Sequence, residues 1–302
     1  MSKKLAWLLL ICLLLLAAGW SFYRKLARPI PRDDRVATNW PATSPGEPPN
    51  FPNAPGNHSA GQPLAGGPAN KKETPAAESG FVLRQGETLE YDANLTKLNS
   101  TIAHLKIVAL EKRSAGGKGS WHLQAFAHTE NPYRMVFELD DQFDSYSDAR
   151  SMTSMQYEMH LSERGQKVDS VQRMLPSLRE PAPDGASAAR VLPGTRDPLG
   201  MLEYLRSVDW SRTTEVRSPV YDGHKLYDVR AVLAGKPTPV SVPAGNFSAM
   251  KIEIHVMDNG TELKDAHFLL YLTNDAARLP VLMEAVLPVL TARVELAKAK
   301  EE

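Results

Sequence analysis

Seven histidines lie in residues 81–302: His104, His122, His128, His160, His224, His255 and His267. None of them forms the i, i+4 pair that puts two imidazoles on one helix face around a metal. His122 and His128 would share one face of an extended chain but stand roughly 20 Å apart, too far for one ion. A metal site here would have to assemble across strands, and the sequence itself calls for no metal and no cofactor. Asp140, Asp141 and Asp144, with Gln142 and Ser145, form an acidic cluster. It lacks the glycine and closing glutamate of a calcium loop, so it reads as a solvated turn. No Gly-x-Ser-x-Gly nucleophile elbow is present. Gly116-Gly117-Lys118-Gly119-Ser120 lacks the spacing of a phosphate loop and reads as a hairpin connection. Cys12, the one cysteine, sits in an apolar run, so the body has no thiol nucleophile. The expectation is a protein that is not an enzyme.

The remaining chemistry is apolar. Trp121, Tyr133, Phe137 and Tyr157 fall in segments that read as strands, and they are the candidates for lining a ligand cavity; ordinary core is the plainer role for them. Period-2 alternation marks half-buried strands. Leu89, Tyr91, Ala93 and Leu95 alternate with Glu90, Asp92, Asn94 and Thr96. Similar patterns run over 133–140, 157–161 and 250–256, and further strands are expected at 102–111, 120–128, 225–233, 266–272, 280–287 and 292–296. Asp222-Gly223 and Asn259-Gly260 suit tight hairpins, because these residues tolerate positive φ. One helix is expected over 197–210. Asp197 suits its N-cap and Pro198 its first position, with Leu199, Leu202, Leu205 and Val208 recurring every third residue. Residues 176–194, with four prolines, read as a loop. The body is therefore expected to be mainly β: a curved antiparallel sheet or partly closed β-barrel with one packed helix.

Two segments precede that body. Residues 5–23 are apolar and free of charge, and as a helix would span roughly 28 Å, close to the ~30 Å bilayer core. Trp7, Trp20 and Tyr23 near its ends suit the membrane interface. A single-pass anchor fits this length better than a cleaved signal. Residues 29–80 hold 11 of the 23 prolines and show no apolar period. Such a stretch cannot bury enough surface to offset its ordering entropy, and reads as a disordered tether. The expected divisions are 1–28 anchor or signal segment, 29–80 linker and 81–302 folded domain. The body carries 26 basic and 30 acidic residues, net −4, against +4 for the first 80 residues. A mildly acidic body has no electrostatic case for nucleic acid. Arg24, Lys25, Arg28, Arg32 and Arg35 after the apolar run lean toward a cytoplasmic body by the positive-inside rule.

Four stretches resemble a family of exported bacterial envelope proteins that share a domain of unknown function. They are Gly86-Glu87 with Leu89 and Tyr91; Asp197-Pro198-Leu199 with Leu202 and Tyr204-Leu205-Arg206; Pro243, Gly245, Phe247, Ala249 and Lys251; and Tyr271-Leu272-Thr273-Asn274-Asp275 with Arg278-Leu279-Pro280. Tyr271 stands where the family usually has Trp, and the stretch 140–195 matches poorly. The resemblance implies a curved antiparallel sheet, similar in shape to periplasmic lipoprotein carriers, and an envelope location. It implies no reaction. It tilts the body toward the outside of the cytoplasmic membrane, against the basic residues after the apolar run.

Two functions are weighed. One is a membrane-tethered, non-catalytic binding or scaffold module of the cell envelope. Its partners would be the cytoplasmic membrane through the N-terminal helix, and a lipid-like ligand on a concave sheet or an envelope protein. The alternative is an envelope hydrolase whose acid pair assembles only in the fold. Asp197, Arg206, Asp275 and Arg278 read most simply as a helix cap, a surface partner or brace, and a turn-ordering pair.

Overall fold

A computed structural model describes residues 81–96, 100–115, 118–176, 187–263, 267–288 and 291–300. The expected anchor over 5–23, the linker over 29–80, the Gly116-Gly117 connection and the middle of the 176–194 loop lie outside these residues. Among the described residues no helix is long and apolar enough to cross a membrane.

The elements in chain order are β1 (Thr88–Leu95), β2 (Thr101–Ala115), β3 (Lys118–Thr129), α1 (Tyr133–Val136), β4 (Asp140–Asp148), β5 (Ser154–Glu163), β6 (Gln166–Leu175) and β7 (Ser187–Arg190). Then come α2 (Pro198–Ser207), β8 (Glu215–Tyr221), β9 (Leu226–Leu233), β10 (Thr238–Val242), β11 (Gly245–Asp258), β12 (Thr261–Glu262), β13 (His267–Thr273), β14 (Pro280–Val286) and β15 (Thr291–Lys300). The strands form one curved sheet in the order β7-β6-β5-β4-β3-β2-β1-β15-β14-β13-β11-β9-β8, with β10 and β12 added to β11. The first strand thus pairs with the last, over Thr88↔Lys300 to Leu95↔Ala292. The expected mainly β architecture is present, with two amendments: the sheet is mixed, because β6 and β7 are parallel, and among the described residues of the body two helices are present instead of one.

Alternation builds the core. In β1, Leu89, Tyr91 and Ala93 point inward and are buried, while Glu90, Asp92 and Asn94 are half-exposed. Leu105, Leu123, Ala125, Val229, Ile252, Leu272, Val294 and Leu296 continue the inner surface around the sheet, all buried. The strand path is open, but its ends are tied. Arg196 bridges to β8, its N–H donating to Pro219 O (3.0 Å) and its carbonyl accepting from Tyr221 N–H (2.8 Å). Gln172 of β6 accepts from the Tyr221 hydroxyl (2.5 Å) and donates to Gly223 O (2.9 Å). Gly223 has φ +94°, and a Cβ there would sit 2.6 Å from Met159 Sδ, so glycine lets the β8–β9 turn approach β5.

Helix α2 lies against β3, β4 and β8. Asp197 is its N-cap, accepting from Gly200 N–H at 2.8 Å. The expected leucine stripe is partly polar. Leu199, Leu205 and Val208 are buried and Leu202 is half-buried, whereas Glu203 and Arg206 are fully enclosed. Gly200 permits the close approach, because a Cβ there would lie 2.9 Å from Met152 O.

Three local expectations fail. Residues 187–190, read as part of a loop, form strand β7 on β6. Residues 133–139 are not a strand. Arg134 N–H bonds Glu130 O and Phe137 N–H bonds Tyr133 O, closing the single turn of α1. Met135 and Val136 are 85% and 76% exposed, so the alternation there marks no buried face. The acidic cluster is not a solvated turn. It belongs to β4, where Asp141, Asp144, Ser145 and Ser147 are all buried.

Candidate functional site

Three of the four stretches that carry the family resemblance meet at one guanidinium, and the fourth joins the turn beside it. Gly86 N–H bonds Ala109 O and thereby fixes the chain just before β1, which places Glu87 over the core. Arg206 in the last turn of α2 is 0% exposed. Its Nη1 donates to Glu87 Oε1 (2.6 Å) and to both oxygens of Glu203 (3.0 Å each). Its Nη2 donates to Glu87 Oε2 (3.1 Å) and Ala277 O (3.2 Å), and its Nε to Arg278 O (3.1 Å). The Phe81 ring covers the guanidinium at 4.8 Å. The turn supplying the two carbonyls is ordered by Asp275, which accepts from Ala277 and Arg278 N–H. Arg278 adopts φ +45° there and donates through Nη1 to Val208 O. Asn274 N–H bonds Ser248 O, which attaches β11 to the same turn.

Electrostatics follow from burial. Burial works against the Arg206 charge, yet Glu203 and Glu87 hold it above its ordinary pKa. Burial pushes the Glu203 carboxyl up, with Arg206 opposing. Tyr91 is buried beside this cluster, and its hydroxyl makes no hydrogen bond with the described residues; burial drives its pKa up. Arg206 is thus the brace the sequence suggested, and not a surface partner. Glu203 was missed. The signal was its place in the series Gly200, Glu203, Arg206, spaced by three on the buried face.

A second polar group surrounds Tyr157. Asp197 accepts from Ser145 Oγ (2.6 Å), which is linked to Ser147 (2.9 Å) and through it to Ser154 (3.2 Å). Burial raises the Asp197 carboxyl despite these bonds. Asp222 accepts from His224 and Lys225 N–H at 2.6 Å and orders the β8–β9 turn. Asp141 faces inward from β4 with one hydrogen bond, from Ser162 N–H at 2.9 Å. Burial pushes its pKa up to about 7, with that bond opposing.

The four aromatic candidates all belong to the core, Trp121 and Tyr157 as buried members and Tyr133 and Phe137 packed half-buried against it. Trp121 (4% exposed) and Tyr157 (2%) are on the inner surface, and Tyr157 stacks with Phe143 at 6.4 Å. Tyr133 is half-buried in α1 with its hydroxyl 2.5 Å from Ser100 Oγ, and Phe137 lies beneath Arg164 at 5.3 Å. Outside the sheet, His122 Nε2 lies 2.7 Å from Asp144 Oδ1, and Gln124 and Gln142 donate to the same carboxylate.

A curved, mainly β body braced by a buried Arg–Glu cluster is a structural class without a reaction attached. The chain belongs to the family described as protein of unknown function (DUF3108), whose model matches residues 90–297. A search of functionally curated proteins finds no match. Among solved structures, the chain is similar to a beta-barrel-like protein of domain of unknown function DUF1849 from Brucella abortus. That likeness has 12% identity and a TM-score of 0.46, over 72% of this chain and 98% of the other. A Bacteroides fragilis protein with a YmcC-like fold aligns at 10% identity and TM-score 0.33, over 73% and 98%. The hypothetical protein CT021 from Chlamydia trachomatis aligns at 7% and 0.34, over 72% and 88%. At these values nothing about activity or partner passes from those proteins to this one.

Proposed function

We propose that the chain is a membrane-tethered, non-catalytic scaffold module of the bacterial cell envelope, which meets protein partners with its outer surface. The observation that carries this reading is the filling of the sheet's inner face by the chain's own side chains. Trp121, Leu123, Tyr157, Ile252 and Leu296 are 0–4% exposed. A small-molecule site normally has a cavity of about 300–1,000 Å³ behind its lining residues. The buried charges also support a structural role. Arg206 spends its guanidinium on Glu87, Glu203, Ala277 and Arg278, all within the chain, which leaves it little capacity for a substrate.

The tether rests on the apolar run at 5–23 and the Pro-rich stretch at 29–80, and the location outside the cytoplasm on the family resemblance. A C-terminal alkaline phosphatase fusion, active only outside the cytoplasm, tests the side of the membrane. Native mass spectrometry of the detergent-extracted full chain tests the interior. The polypeptide mass alone is expected; a lipid adduct that survives detergent exchange would favour the ligand-carrying reading instead.

A further inference from the structure

The sheet path ends on β8, which pairs with β9 on one side. Backbone groups of an antiparallel strand point alternately toward one neighbour and the other. Leu233 N–H bonds Thr214 O, so the backbone groups of Thr214, Val216, Ser218 and Val220 face β9. Those of Glu215, Arg217, Pro219 and Tyr221 face the outer edge. Arg196 occupies that edge at Pro219 O and Tyr221 N–H. Among the described residues no backbone group pairs with the N–H and C=O of Arg217 or with the N–H of Glu215. Glu215 O accepts from the Thr213 hydroxyl at 2.9 Å and keeps a second lone pair.

An unpaired edge is a template for another strand, and proteins commonly guard it with charge. Here the guarding charges alternate in sign. Glu215 and Arg217, 40% and 61% exposed, flank Val216, which is half-buried against the core. Arg230 of β9 stands directly opposite Arg217, where like charges repel. Glu215 offsets this within the chain, with Arg217 Nε and Arg230 Nη1 each 3.2 Å from its carboxylate. On the open side of Arg217, a carboxylate in the next strand would continue the compensation.

An identical strand supplies that carboxylate in one register. With Val216 on a two-fold axis, Arg217 stands opposite Glu215 of the second copy, and Glu215 opposite its Arg217. Both are edge-facing residues, so each pair exchanges two N–H···O bonds and four backbone bonds form. Shifting the strand by two residues sets Glu215 against Glu215, or Arg217 against Arg217, and like charges directly opposite are destabilising. We propose that β8 pairs edge to edge with β8 of a second copy, antiparallel about Val216, joining two bodies in one continuous sheet. Such a contact is isologous and closes as a two-fold dimer. It requires neither the tether nor an envelope location.

Disulfide trapping tests this in the full chain in detergent, with Cys12→Ser removing the native thiol. On the axis Val216 meets its own copy in a non-hydrogen-bonded pair, where Cα atoms lie about 4.5 Å apart, within the range a disulfide spans. Val216→Cys is expected to form covalent dimers under mild oxidation, and Val171→Cys, 42% exposed on β6, is expected not to. Adding Arg217→Glu or Glu215→Arg to Val216→Cys should lower the yield several-fold, and adding both should restore it, because the reversed charges are again opposite. Melting followed by circular dichroism checks that each variant is folded. Sedimentation equilibrium of the parent and of Arg217→Glu reads the same contact without any introduced cysteine; a dimer weakened in the variant is expected. Val216→Cys that crosslinks no better than Val171→Cys overturns the proposal. So does crosslinking that the single reversals leave unchanged, or a dimer equally strong in the parent and Arg217→Glu, which would place the association elsewhere in the chain.

Discussion

Arg206 and Glu87, 119 residues apart in the chain, meet with two guanidinium nitrogens on two carboxylate oxygens, at 2.6 and 3.1 Å. The pair joins the start of β1 to the last turn of α2. Glu203 takes the same Nη1, and the β13–β14 turn supplies two carbonyls. Bidentate, charge-assisted bonds fix geometry as well as adding energy. Whether such a buried pair outperforms an apolar replacement is a separate matter, since desolvation offsets much of the attraction.

Removing one partner is expected to be costly, because the other charge stays buried. Arg206→Met and Glu87→Gln should each destabilise the protein by about 3–5 kcal/mol. The double variant should lose clearly less than the two losses together, as interacting residues do. Urea unfolding of the four proteins, followed by circular dichroism, checks both statements.

Gly200→Ala tests the approach of α2 to β4 and β5. In an open helix this change is favourable by roughly 1 kcal/mol. Here the new methyl would lie 2.9 Å from Met152 O and Ser154 Oγ. Overpacking of about 1–3 kcal/mol should outweigh the helix gain, giving a net loss on the order of 1 kcal/mol. A more stable variant in the same urea assay would show that α2 is free to shift outward.

How far the fold was legible depended on where polar residues went. Strands with apolar inner faces, such as β1 and β11, announced themselves through alternation, and Asp197-Pro198 marked the start of α2. Strand β4 did not, because its inner positions are Asp141, Phe143, Ser145 and Ser147, and the hydrogen bonds that make those acids and hydroxyls tolerable inside come from distant residues. Strand β6 alternates without an apolar signal, since most of its side chains are exposed or half-exposed. At the buried cluster, Glu87 and Arg206 could be quoted from the sequence, but their meeting depends on the β13–β14 turn, which no local pattern brings to α2.

Asp141 makes stability depend on pH. Its folded carboxyl is pushed up to about 7 by burial, whereas the unfolded chain releases that proton near pH 4. The folded state therefore holds the proton more tightly. Its contribution is present in full below about pH 4 and is lost as pH rises to about 7, worth on the order of 4 kcal/mol. Asp141→Asn keeps an acceptor for Ser162 N–H and cannot ionise. Unfolding free energies measured from pH 4 to 8 should fall for the parent relative to this variant, and the variant should be the more stable at pH 8. Parallel curves would mean that Asp141 is ionised in the fold.

A concave interior closed by the chain's own side chains has a direct test. Replacing Trp7, Trp20 and Trp40 by Phe leaves Trp121 and Trp210, which are 4% and 3% exposed, as the only indole reporters in the full chain. Their fluorescence is then recorded in detergent while a chain-brominated fatty acid is added. Blue-shifted emission with no saturable quenching is expected. Saturable quenching that disappears on Trp121→Phe would contradict it, placing an apolar ligand against β3 where the structure has packed core.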